Sequence, residues 1–335
     1  MAVMQGDAFA PASQEEDEQE LGGSETELRE ISVGPAQHGQ RLDKALAELV
    51  PELSRSYLQQ LLVQGAVQVN GAKAIKPAHK VKAADALTVE IRPTPQSQAF
   101  KAEVVAFEVV FEDEHLLVVN KPAGLVVHPA PGNWSGTLLN GLLAHNVCAS
   151  QVPRAGIVHR LDKDTSGLMV VAKDRSTMDA LVRMIAQRDV RRQYLALAHR
   201  PWVGAAHRSV DAPIGRDPRN RLRMAVVDLA QHPGKSARTD FDCLDGNAQG
   251  CLVRCTLHTG RTHQIRVHMA SIGHPLLADA LYGGAPAGGM ERQALHAFRL
   301  AFAHPASGQP LEFHAPLPVD MRSALAQWGL GYNAG

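Results

Sequence analysis

Cysteine is scarce. Cys148, Cys243, Cys251 and Cys255 are the four in 335 residues, and no Cys-x-x-Cys occurs. That excludes a disulfide framework and fits a reducing, cytoplasmic setting. No run of eighteen apolar residues exists, so neither a transmembrane helix nor a membrane partner is expected. The N-terminal stretch lacks a basic segment followed by an apolar one, which argues against a secretory leader. Gly-x-Gly-x-x-Gly after a strand and Gly-x4-Gly-Lys-Ser/Thr are both missing, so nucleotide cofactors lack their usual cradles. Sixteen histidines give no His-x3-His with a Glu between. His258, His263 and His268 are five apart, off any single helical face. Cys251 and Cys255 read as small core residues of one strand face. Ser166 follows Thr165 rather than Gly-x, so a nucleophile elbow is absent. No metal and no cofactor is expected.

What is present is a chain long enough for two domains and a full core without staples. Apolar residues are 45% and charged residues 20%, ordinary for a globular protein. The formal net charge of zero hides an asymmetry. Residues 1–30 hold nine acids and one base, a net −8; the other 305 hold 33 bases and 25 acids, a net +8. A basic body suggests a polyanionic partner, although many enzymes with no such partner are mildly basic.

Four segments follow. Residues 1–38 are acidic and poor in large apolar groups, so a disordered tail is expected there. It either solvates the chain or competes with RNA for the basic body. Residues 39–92 form a small domain. Leu42, Ala45, Leu46 and Leu49 fall on one helical face. Ser54 caps a second helix lined by Leu58, Leu61 and Leu62, with Gly65 just past its end. Asn70-Gly71 signals a hairpin turn. Residues 93–102 read as a polar, Pro-bearing linker. Residues 103–335 are dominated by strand-like runs: 104–111, 116–120, 157–161, 168–172, 194–198, 251–257 and 300–303. Ser176-x-x-Asp179 reads as a capping box, and Thr262 as the cap of a later helix. The strands do not alternate regularly with helices. That predicts an α+β fold with a mixed, mostly antiparallel sheet flanked by helices.

Four constellations stand out. In 157–173 (IVHRLDKDTSGLMVVAK), Arg160, Asp162, Lys163 and Asp164 crowd one turn between apolar runs. The turn reads either as a hydrogen-bonded hairpin turn or as a built acidic site. In 257–268 (LHTGRTHQIRVH), Arg261, His263, Gln264, Arg266 and His268 gather where a strand ends and a helix begins. That is an anion cradle or a solvated first turn. In 118–129, Lys121 and His128 flank a Pro-x-Gly turn that is structural first. Tyr194 follows Arg191 and Arg192, a texture of base stacking beside phosphate contacts or of an ordinary sheet. The run Arg216, Arg219, Arg221 and Arg223 is either an RNA-gripping hairpin or a solvated loop.

The stretch RLDKAL…LSRSYLQQLLVQGAVQVNG…K resembles an S4-type RNA-binding domain, with Arg41, Lys44 and Arg55 on its basic surface. HRLDKDTSGLMVVAK, LHTGRTHQIRVHM, NKPAGLVVHP, LYGG and LHAFRLAFAHP resemble the pseudouridine synthases of the bacterial large-subunit type. The similarity runs from Arg41 to about Met321. The acidic arm lies outside it, and 234–250 and 285–290 match less well.

The resemblance implies an isomerase that turns specific uridines of 23S ribosomal RNA into pseudouridine, at a stem-loop of the subunit interface. It implies no cofactor, and a partner that is free 23S rRNA or the assembling large subunit. It assigns Asp162 as the catalytic carboxylate, Arg266 as its guanidinium partner, Tyr194 as the ring stacked on the base and Arg160 as the residue filling the flipped uridine's place. Lys121, Lys173, Arg261, His263 and Gln264 follow as RNA contacts or scaffolding, and a monomer is expected. Alternatives are the same chemistry on another rRNA or tRNA uridine, or an S4-type RNA-binding or ribosome-assembly protein with an idle catalytic-like domain.

Overall fold

The structure, a computed structural model, describes residues 27–92 and 99–332 and divides into two units between Gln98 and Ala99. Most of the expected acidic tail, residues 1–26, lies outside the described residues.

The first unit opens earlier than the sequence predicts. Strand β1 (Glu27–Ser32) is followed by helices α1 (Leu42–Leu49) and α2 (Arg55–Val63), then strands β2 (Val67–Val69), β3 (Ala72–Lys73) and β4 (Ala86–Ile91). The sheet order is β1-β4-β2-β3, with every pairing antiparallel. Residues 27–38, expected to belong to the tail, are therefore part of this unit. An edge strand is held by main-chain bonds to one neighbour, and only Leu28 and Ile31 supply large apolar groups. Composition cannot register such a strand. The rest agrees with the pattern: Ser54 Oγ accepts the Tyr57 N–H, and Leu42, Leu46, Leu58, Leu61 and Leu62 are the core. Asn70 and Gly71 both have positive φ, 52° and 78°, as a two-residue hairpin turn requires.

The second unit contains β5 (Glu108–Glu112), β6 (Leu116–Lys121), α3 (Leu138–His145), β7 (Ser166–Ala172), α4 (Arg175–Gln187), β8 (Arg191–His199) and β9 (His207–Asp211). Next come β10 (Ile214–Arg216), β11 (Met224–Val226), β12 (Gly234–Lys235), β13 (Arg238–Gly246), β14 (Gly250–Leu257), α5 (Gln264–Ser271), β15 (Leu295–Ala303), β16 (Pro310–His314) and α6 (Val319–Trp328). A nine-stranded sheet runs β5-β6-β7-β15-β8-β14-β13-β9, with β16 beside β15. Only β7–β15 is parallel, so the sheet is mixed and mostly antiparallel. Helices α3 and α5 pack on one face, α4 and α6 on the other. Both faces being covered, β7 and β8 read as continuous apolar runs rather than alternating ones. The three-stranded ribbon β11-β10-β12 stands apart from this sheet.

Several local expectations change. Residues 157–161 form no strand; Ile157 makes one bridge to Val171 and the chain then turns. Helix α4 is capped by Asp174, whose carboxylate accepts the Thr177 N–H, while Ser176 donates to that same carboxylate. The cap of α5 is His263, in a left-handed conformation, rather than Thr262. Residues 93–98 of the expected linker lie outside the described residues. Ala99 and Lys101 are fastened into the second unit, because Asn140 Nδ2 donates to both carbonyls.

Candidate active site

The residues 157–165 form a loop pinned from several sides. Ile157 bridges to β7, and His159 Nε2 accepts the Val170 N–H at 3.1 Å. The Asp162 carbonyl takes the Thr165 N–H at 3.1 Å and the Lys163 carbonyl takes the Gly124 N–H at 2.9 Å. Lys121 Nζ donates to that same Lys163 carbonyl at 3.0 Å, and Arg292 Nη1 to the Asp164 carbonyl at 2.9 Å. Gly167 enters β7 with φ +116°; a Cβ there would lie 2.2 Å from the Ala297 carbonyl oxygen. Only glycine lets β7 and β15 approach this closely. The loop is thus rigid where Asp162 leaves it.

A second loop meets the first. Buried Gln264 braces residues 259–261: its Oε1 accepts from Thr259 Oγ1 at 2.7 Å and from Arg261 N at 2.9 Å. Its Nε2 donates to Arg238 O at 3.0 Å and Thr239 Oγ1 at 2.9 Å. Two residues on, Arg266 projects from α5. Its Nη1 donates to Asp162 Oδ2 at 3.0 Å. Its Nε and Nη2 donate to the two oxygens of Asp279 at 2.7 and 2.8 Å. The Arg266 and Asp279 side chains are 9% and 1% exposed, and Asp162 is 17% exposed. Burial opposes the Arg266 charge, but the two carboxylates outweigh it and hold its pKa above the ordinary arginine value. The Tyr282 ring lies under the guanidinium, 5.0 Å from centroid to Cζ. Tyr282 OH accepts the Met224 N–H at 3.1 Å and pairs with His263 Nδ1 at 2.8 Å. His263 Nε2 is 3.9 Å from Asp162; burial lowers the His263 pKa, with Asp162 opposing.

Asp162, His263, Gln264 and Arg266 line a cavity of about 810 Å³. Arg154, Arg160, Arg188, Arg192 and Arg261 also line it, and among the described residues Asp162 is its one lining carboxylate. Tyr194 lines it from β8 and is 5% exposed. Burial pushes its phenol up to about 12, with Asp162 adding and Arg192 opposing. A carboxylate oriented by one guanidinium beside a neutral phenol, ringed by arginines, can act on an electron-poor carbon of a polyanionic substrate.

A family model described as RNA pseudouridylate synthase matches residues 115–271, and an S4 domain model matches 40–87. Ribosomal large subunit pseudouridine synthase D of Neisseria meningitidis serogroup B is 47% identical over 96% of this chain and 88% of its own length. Its namesake from Nitrosomonas europaea is 48% identical over 88% of this chain and 86% of its own. The chain belongs to the RNA pseudouridylate synthase family. Among solved structures, human RNA pseudouridylate synthase domain containing 1 superposes with a TM-score of 0.50 at 27% identity, covering 64% of this chain and 85% of that one. This synthase is therefore an isomerase with an RNA substrate and an N-terminal S4 domain. Among its described residues, no helix is long and apolar enough to cross a membrane.

Of the residues singled out from sequence, the synthase brings Arg160, Asp162, Tyr194, Arg261, His263, Gln264 and Arg266 to one cavity. Two residues offered as RNA contacts or scaffolding take the scaffolding role. Lys121 is fully buried, and its Nζ donates to the carbonyls of Pro122, Leu125 and Lys163. It braces the Asp162 loop and cannot reach RNA. Gln264 has its hydrogen-bonding capacity filled by the neighbouring loop, so it too is scaffolding. Lys173 lies at the far end of β7 from Asp162, tied to Glu112 at 2.9 Å and to the Asp113 carbonyl at 2.5 Å. His268 is buried between Thr239 and the Ala212 carbonyl. Arg216, Arg219 and Arg221 stand exposed on the β10–β11 hairpin, while Arg223 pairs with Asp217 at 2.6 Å. In the S4 domain, Arg41 and Arg55 both bond the buried Asp43 at 3.0 Å, and exposed Lys44 lies 3.9 Å from Glu48. Sequence reading missed Asp43, Asp279, Tyr282 and His159. The LYGG stretch carried Tyr282 in view, with Asp279 just before it, but nothing in the spacing links them to Arg266.

Proposed function

We propose that this synthase converts uridines of 23S ribosomal RNA to pseudouridine, with Asp162 as its catalytic carboxylate. The carrying observation is the Asp162–Arg266 pair at 3.0 Å, set in a cavity whose lining holds five further arginines. The names of the two bacterial relatives support the large-subunit substrate. The RNA is either free 23S rRNA or the assembling large subunit, met in the cytoplasm by a monomer.

In this reading the target uridine leaves its loop, which costs a few kcal/mol and least where stacking is already weak. Exposed Arg160 fills the vacated place. Tyr194 presents its ring to the base. Asp162 acts at the sugar, either as nucleophile on C1′ or as base toward a glycal. The N1–C1′ bond breaks, uracil turns in place, and C5 bonds to C1′. C5 gives up its proton and N1 takes one up, so the isomerisation balances with no redox partner. Water need not be activated, unlike in glycoside hydrolysis, so one carboxylate suffices where hydrolases use two. The S4 residues Arg41, Lys44 and Arg55, and the arginines of the β10–β11 hairpin, grip phosphates elsewhere on the RNA.

The test is tritium release from 23S transcript labelled at uridine C5. Wild type is expected to release it and Asp162→Asn is not. Release only from precursor subunits would identify the assembling subunit as substrate. No release from either would overturn the 23S assignment, and release by Asp162→Asn would overturn the role of Asp162.

A further inference from the structure

Arg266 is neutralised by two carboxylates; Arg192, on the same cavity, has none. Arg192 is 6% exposed and lies on β8 two residues before Tyr194, so both point to the same face. Its Nε is shut off from solvent without a hydrogen-bond partner. Among the described residues, the guanidinium makes no ion pair or hydrogen bond, and the side chain lines the cavity. The covering loop is fitted to it. A Cβ on Gly260 would stand 3.0 Å from Nη1, so a side chain there would crowd the guanidinium.

Its surroundings supply no anion. His159 Nε2 accepts a main-chain N–H, which leaves the proton of a neutral ring on Nδ1, and that atom is also buried without a partner. Burial, with Arg192 adding, pushes His159 down to about 3. Tyr194 stays neutral to about 12. Burying an uncompensated cation is costly, and a folded chain keeps one where something outside it completes the pair.

We propose that Arg192 is a binding residue that takes a phosphodiester of the RNA strand at the flipped uridine. This rests on the uridine-isomerase reading and names a subsite within it. The uracil carbonyls are neutral; the backbone phosphate is the full negative charge that RNA brings, and a guanidinium fork matches its oxygens. The bond supplies the missing counter-charge only when substrate is present, so it ties RNA seating to the position of Tyr194.

The test uses full-length protein, Arg192→Gln and Arg192→Lys, with a synthetic 23S stem-loop carrying a normal or a single neutral methylphosphonate linkage beside the target uridine. Arg192→Gln is expected to bind the normal RNA about tenfold more weakly. Its log Kd–log salt slope should drop by about 0.7–0.9, while Tm holds or rises because an unpaired buried charge is gone. One methylphosphonate position should weaken wild type about tenfold and leave Arg192→Gln unchanged. Arg192→Lys should keep the slope and bind between the two. A Tm lower by more than ~4 °C with the slope unchanged would show a purely structural arginine. Additive losses at every methylphosphonate position would point to a base carbonyl and overturn the proposal. Binding and Tm are read without turnover, so absence of pseudouridine in wild type counts against the 23S substrate alone.

Discussion

Each unit of this molecule carries an aspartate–arginine knot, and the two bury opposite groups. In the S4 domain the carboxylate is buried: Asp43 is 0% exposed, while the Arg41 and Arg55 side chains that bond it are 55% and 58% exposed. Gln59 completes the set at 3.1 Å. In the catalytic domain the guanidinium is buried: Arg266 is gripped by Asp279 from behind, and Asp162 is the member left open to the cavity. The buried partner fixes the geometry of the open one. In the proposed reading the open cations hold the RNA backbone and the open carboxylate acts at the sugar.

The sharpest way to break this contrast is Arg266→Ala. It leaves Asp279 and Asp162 without their shared counter-charge, one of them fully buried. Losing one side of a buried pair costs about 3–5 kcal/mol. The variant should show a large drop in chemical-denaturation stability along with lost turnover; wild-type stability and turnover would remove the knot from the mechanism.

Next in size is the pH response of Tyr194. Its phenol is raised to about 12 against the ordinary value of 10, so between these pH values the unfolded chain has lost a proton the folded chain still holds. Stability contributed by this group is complete below pH 10 and is lost as pH rises toward 12, by about 1.4 kcal/mol per unit at most. A 295 nm titration of wild type minus Tyr194→Phe should show one tyrosine ionising near 12. Ionisation near 10 would mean that the ring is not held dry.

Asp43→Asn sharpens the comparison in the S4 domain. It adds a net positive charge, so a simple charge count predicts tighter RNA binding. If Asp43 instead orients Arg41 and Arg55, binding weakens about tenfold, which titration by fluorescence anisotropy would detect. The smallest effect is expected from Arg41→Gln or Arg55→Gln singly. Each should reduce the salt slope of RNA binding by about 0.7–0.9 with turnover at saturating RNA unchanged.

The central pair of the cavity was more legible in the sequence than the scaffold around it. Asp162 and Arg266 stand 104 positions apart, yet each sits in a dense local motif, so both were visible. Asp279 has no such company, and only the fold shows that it holds the far side of Arg266. Lys121 and Gln264 misled because charge and polarity suggest exposure, whereas three carbonyls and a loop backbone satisfy them inside the protein. The mixed sheet followed from the irregular strand spacing. Residues 157–161 looked like a strand because apolar side chains can line a turn that packs on a core as well as they line a sheet. Strand β1 was hidden for the opposite reason: main-chain bonds to β4 hold it, and those carry no compositional signature.

One measurement bears most directly on the division of labour between the knots: single-turnover tritium release over a range of RNA concentrations for Asp162→Asn and Arg55→Gln. Asp162→Asn should bind RNA like wild type and lose the chemical step by about three orders of magnitude or more. Arg55→Gln should need more RNA to saturate and then react at the wild-type rate. An Asp162→Asn that binds weakly but reacts normally once saturated, or an Arg55→Gln that saturates normally and reacts slowly, would contradict the assignment of the open carboxylate to chemistry and the open arginines to grip.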